Sequence, residues 1–140
     1  MITKAFQEED EGNWIIEDVS LANSRVPIRI SVTQDSAPTS EETTLIEKTL
    51  TNIEPLILNA SALILDNYSY EHFKNLNVAE DKLVEETAEA IASVVTLQEL
   101  TFYNVENGEF AASFTVPWDD HHTFDVEYED GEATSCSVNG

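Results

Sequence analysis

Asp119, Asp120, Glu127, Glu129, Asp130 and Glu132 place six carboxylates between positions 119 and 132, around an Asp130-Gly131 pair that marks a tight turn. Carboxylate and backbone carbonyl oxygens are hard ligands. Ca²⁺ takes about six to eight of them at roughly 2.3–2.6 Å in a forgiving geometry, whereas Mg²⁺ holds its waters and demands a near-octahedral shell. The cluster is therefore expected to bind Ca²⁺ in preference to Mg²⁺. A second group, Glu8, Asp10 and Glu11 before Gly12, forms a further candidate metal site, joined by Asp35 if the fold brings it close. Neither group has the alternating ligands, central glycine and twelfth-position glutamate of an EF-hand loop.

The remaining candidates carry less. His121-His122 beside Asp119-Asp120 offers imidazole and carboxylate ligands for a transition metal. Adjacent residues rarely aim both rings at one ion, and His72 is distant in sequence. Paired carboxylates can serve a hydrolase when one has a raised pKa inside a cleft, but these lie at turns. No nucleophile motif or glycine-rich phosphate loop accompanies them. The expectation is a binding protein, not an enzyme.

Charge sets the partners. The chain has 140 residues, 28 acidic and 6 basic, for a formal net charge of -22. All six basic residues (Lys4, Arg25, Arg29, Lys48, Lys74, Lys82) lie in the first 82 positions. The 13 carboxylates from Glu85 to Glu132 thus have no Lys or Arg nearby in sequence. Such a field repels nucleic acid and anionic membrane and attracts metal cations or a basic protein partner. An acidic inhibitor that docks a basic protein is the rival to calcium binding. It uses the same carboxylates as contacts and predicts salt-sensitive binding that needs no calcium.

These groups must be positioned by a folded domain. Hydrophobic residues make up 41% of the chain and aromatics 9%, enough for one core and unlike disordered acidic chains. Trp14–Val19 and Val26–Val32 read as strands. Thr39 and Glu42 have capping-box spacing, opening a helical segment with Leu45, Ile46, Leu50, Ile53, Ile57, Ala60 and Ile64 on one face, kinked or divided by Pro55. A second helix is predicted from about Glu80, burying Val84, Ala88, Ile91, Val94 and Val95. From Glu99 the period returns to two: Leu100 and Phe102, an Asn107-Gly108 turn, Phe110 to Trp118, Thr123 to Glu129, and a last strand ending near Val138. The two tryptophans and Phe110, Phe114 and Phe124 read as core. Asp125, Glu127 and Glu129 share one strand face, with Asp119 and Asp120 in the preceding loop. The expected architecture is α+β, a single domain over residues 1–140. In it an antiparallel β-sheet carries two main helices on one face, in the order β-β-α-α-β-β-β-β. No apolar stretch is long enough to span a membrane, and Cys136, alone, can form no internal disulfide and no thiolate zinc site. A reducing cytoplasm is the expected setting.

Length, extreme acidity, the missing EF-hand and the α+β order together resemble the cyanobacterial calcium-binding protein family that acts in heterocyst differentiation. That resemblance spans the whole chain and implies a cytoplasmic calcium buffer or regulator with irregular surface sites. The tail from Val116-Pro117-Trp118-Asp119-Asp120-His121-His122 through Val138-Asn139-Gly140 is also similar to a broad bacterial domain family ending in a Trp-Asp-x-Glu-His-Gly type motif. Trp118, Asp119 and His122 match it, while His121 replaces its Glu and Thr123 its Gly. Some members of that family are linked to toxin immunity, which implies a protein partner.

Overall fold

The structure, a computed structural model, describes residues 2–21 and 24–140. Seven strands form one sheet in chain order: β1 (Gln7–Asp10), β2 (Asn13–Val19), β3 (Ile28–Thr33), β4 (Thr96–Asn104), β5 (Glu109–Val116), β6 (Asp119–Glu129) and β7 (Glu132–Asn139). Neighbours are antiparallel except β3 and β4, which run parallel with Ile30 opposite Leu100 and Val32 opposite Phe102. A parallel pair needs a long crossover connection. Here the crossover is the helical layer itself: α1 (Ser40–Thr51), α2 (Ile53–Leu65), α3 (Tyr70–Asn75), a 3-10 turn at Glu80–Lys82 and α4 (Ala88–Ala92). The α+β class and the helix-on-sheet layering follow the alternation in the sequence. The parallel junction corrects the expectation of a wholly antiparallel sheet.

Alternation decides which face is buried. Ile28, Ile30, Val32, Leu100, Phe102, Phe110, Ala112, Phe114, Phe124, Val126 and Tyr128 all lie in the core, against Ile46, Leu50, Ile53, Leu56, Ala60 and Ile64 of the helices. Tyr128, fully buried, donates its hydroxyl to the Leu56 carbonyl at 2.7 Å, which ties β6 to α2. Trp118 packs on Tyr68 with ring centroids 4.3 Å apart.

Helix starts follow local chemistry. Thr39 Oγ1 accepts from the Glu42 amide while the Thr39 amide donates to Glu42 Oε1, completing the capping box. The helical segment divides at Asn52, and Pro55 falls in the first turn of α2, where a missing N–H costs no helical hydrogen bond.

Three local expectations are corrected. The acidic stretch ahead of the first expected strand is itself a strand over Gln7–Asp10, turning at Glu11-Gly12, because β1 pairs with β2 and a partly buried Phe6 anchors its base. Asp119 and Asp120 begin β6 and are not in a loop, since Pro117-Trp118 alone turns the chain and Val116 already pairs with Asp119. The helix predicted from Glu80 reduces to a 3-10 turn and the short α4. Tyr68 explains this: its hydroxyl accepts from the Val84 amide at 2.9 Å and donates to the Val84 carbonyl at 2.7 Å, taking both groups a helix would need. The β-branched run Val94-Val95-Thr96 then leads into β4.

Candidate functional site

The face of the sheet turned away from the helices carries the carboxylates. Cross-strand register sets two rows. One runs Arg29, Glu99, Ser113, Asp125, Ser137 from β3 to β7. The next runs Gln7, Ile15, Ser31, Thr101, Ala111, Glu127, Ser135 across all seven strands. From β4 to β7 the acids thus alternate with small or hydroxyl side chains, giving a shallow surface.

On the β1–β3 side one cation, Arg29, offsets part of the charge. Arg29 Nη2 lies 2.5 Å from Glu9 and Nη1 lies 3.3 Å from Glu17. The hydrogen bond to Glu9 first, then the fields of Glu17, Glu9 and Glu99, push the guanidinium further toward its charged form, and burial opposes this. On the β4–β7 side the carboxylates take neutral donors. Thr101 donates to Glu99 at 3.0 Å, Asn139 Nδ2 donates to Asp125 at 2.5 Å, and the Tyr103 hydroxyl donates to Glu127. Burial first, and then Glu127, push the Tyr103 phenol above its ordinary value. These donors leave the negative charge of Glu99, Asp125 and Glu127 in place.

Distances separate what the sequence grouped. Asp119 and Asp120 begin β6 and Glu129 ends it, roughly 30 Å away at the rise of an extended strand. The six acids of the first candidate site therefore form two groups at opposite ends of one strand, with Glu127 between them. Asp125, Glu127 and Glu129 do share the face, but successive members stand roughly 7 Å apart. Carboxylates so spaced do not converge on one ion, whose ligand oxygens sit about 2.3–2.6 Å from it. Among the described residues, no group of three or more His, Cys, Asp or Glu side chains is arranged to hold a metal ion.

At the far end of β6, Glu129 and Glu132 are direct cross-strand partners, and Asp130 and Gly131 between them turn the chain with φ of 51° and 78°. In the second candidate group, Glu8 accepts from the Gly12 amide at 3.3 Å, and Asp10 pairs with Asn13 beside Glu11. The fold does bring the 35 region near: the Gln34 amide donates to the Gly12 carbonyl at 3.0 Å, which places the bend holding Asp35 against this turn. At the near end of β6, Asp119 accepts from the His121 amide at 3.1 Å and contacts His122 Nδ1 at 2.7 Å, while His121 Nε2 lies 3.4 Å from Asp120. The two imidazoles thus face different aspartates, and His72 belongs to α3.

Sequence reasoning missed Glu99, Arg29, Glu9 and Tyr103 as members of the open face. The alternation of β4 held the signal for two of them, since Glu99 and Tyr103 flank the buried Leu100 and Phe102 in a period of two. Arg29 and Glu9 needed the strand order. No helix among the described residues is long and apolar enough to cross a membrane. No family model matches the chain, and neither a curated protein nor a solved structure matches it.

Proposed function

We propose that the chain is a binding protein of the inhibitor or immunity type, which docks a basic protein partner on the open face of its sheet. The observation that supports this reading is the β4–β7 half of that face. There Glu99, Asp125 and Glu127 are spread over strands among small hydroxyl residues, with neutral donors as partners. A spread of carboxylates with only Arg29, beside Glu99, as a neighbouring cation among the described residues matches the spacing of cations on another protein better than the compact shell of one ion. Charge complementarity of this kind raises association rates and falls with ionic strength. The experiment is titration with a lysine-rich probe peptide at low and near-physiological salt. Glu99→Gln/Asp125→Asn/Glu127→Gln should weaken binding several-fold more than Glu41→Gln/Glu54→Gln/Glu71→Gln on the helical side. Equal losses in the two triple variants would reduce the attraction to net charge and remove the face from the proposal.

Calcium binding is a second reading, favoured by one observation: Glu129 and Glu132 stand directly opposite each other beside Asp130. Like charges in such a pair are destabilising, and a cation between them relieves this. Calorimetric titration with CaCl₂ and with MgCl₂ at near-physiological salt tests it. Saturable heat for Ca²⁺ alone, abolished in Asp130→Asn/Glu132→Gln, supports a calcium site at this turn. Equal, salt-erased heat for both ions rejects it.

A further inference from the structure

The two edges of the sheet are built differently. β1 is four residues long, three of them carboxylates, and a bulge between Glu8 and Asp10 breaks its register. Charge, shortness and bulging are the devices that keep an edge from pairing with another chain. β7 lacks most of them. It is twice as long, and in a chain of net charge -22 the stretch Ala133-Thr134-Ser135-Cys136-Ser137-Val138-Asn139 carries no charge and no proline. Its one irregularity, the extra residue Thr134, comes near its start, and from Ser135 to Asn139 it pairs regularly with β6. As the edge strand of the sheet, it leaves alternate backbone N–H and C=O groups of that stretch without a strand partner among the described residues.

We infer that β7 is a strand-addition site for an extended segment of a protein partner in which basic and apolar residues alternate. The inference rests on the basic-partner reading above and specifies how the partner is held. Two faces of β7 set the alternation. Toward the open face, Ser135 stands beside Glu127 and Ser137 beside Asp125. A strand added outside β7 lies roughly 10 Å from β6, two inter-strand spacings. Lysine or arginine stems lying across the short serines span that gap and bring their cations to Glu127 and Asp125. Toward the helical face, Val138 is 42% exposed and Cys136 half-buried, an apolar strip for the intervening residues. Main-chain hydrogen bonds supply the affinity and this alternation the selectivity. A second copy of the chain fits poorly, because pairing β7 with β7 brings two rows of Asp125 and Glu127 toward each other.

The test is binding of a fluorescent peptide of alternating lysine and valine, compared with a block peptide of the same composition and charge, to the intact chain at low salt. The alternating peptide should bind about tenfold tighter, the difference that two or three exposed ion pairs at the open face make. Amide exchange across residues 135–139 should slow on binding. Ser135→Lys/Ser137→Lys, and independently Val138→Glu, should erase the preference with the fold retained by circular dichroism. Equal affinity for both peptides would overturn strand addition and leave the acidic docking face standing. Binding of neither peptide would overturn both proposals. A concentration-dependent dimer in sedimentation, abolished by Ser135→Lys/Ser137→Lys, would assign the edge to a second copy and overturn the partner segment.

Discussion

Tyr128 joins the two layers through a single hydroxyl buried in the core. The Leu56 carbonyl that receives it is inside α2, so removing the hydroxyl leaves that carbonyl available to the helix ladder. Tyr128→Phe is therefore expected to cost only about 1 kcal/mol in urea unfolding. The same residue gives a pH signature. Burial pushes its phenol above the ordinary value of 10.0, so the folded state favours the protonated form. Its contribution is complete below pH 10 and is lost as the pH climbs from there toward the folded value. Unfolding free energy measured between pH 9 and pH 11 should fall less steeply in Tyr128→Phe than in the unaltered chain. Tyr68 and Tyr103, also shifted upward by burial, keep part of the slope.

Among the elements, the segment between α3 and α4 depends most on a single contact. Tyr68 holds Val84 by both backbone groups, and Leu83 beside it is buried. Tyr68→Phe removes both bonds and leaves a part-buried amide and carbonyl to find water, a cost of roughly 1–3 kcal/mol. Hydrogen exchange should show the loss as faster exchange at Val84 and its neighbours, with β5 and β6 protected as before. If protection fell uniformly across the sheet, Tyr68 would be supporting the whole core and not this segment. The helix pattern was legible here in Val84, Ala88, Ile91 and Val95, and only the last two are buried. A tyrosine from the link between α2 and α3 settled the competition, and nothing within residues 80–87 announces it.

For the whole molecule, charge of one sign is the governing quantity. With a formal net charge of -22, self-repulsion opposes the compact state, and screening relieves it. The melting temperature should rise by several degrees as NaCl increases from about 10 mM to about 500 mM, since the Debye length contracts from about 30 Å to a few ångströms over that range. CaCl₂ and MgCl₂ at matched ionic strength separate screening from ligation in the same assay. Equal increments mean screening, and an excess for Ca²⁺ points to the Glu129–Glu132 turn.

Local chemistry determined much of this protein in advance. The Thr39–Glu42 capping box, the Asn107-Gly108 and Asp130-Gly131 turns, and the alternation that buries Phe110, Phe114, Phe124 and Val126 all act within a few residues. Their outcome was therefore legible in sequence, along with the sign of the field. The tertiary structure alone decided which strands are neighbours. Packing β1 and β2 against β3 brought Arg29 to Glu9 and Glu17, and pairing β3 with β4 across the helical layer set the same cation beside Glu99. Extending β6 through Asp119 moved Asp119 and Asp120, a third of the expected ligand cluster, to the far end of a strand. Placing β7 at the edge left the outer side of its uncharged stretch without a strand partner among the described residues. Each is a contact between residues distant in the chain, and spacing within a segment carries no information about which other segment will lie beside it.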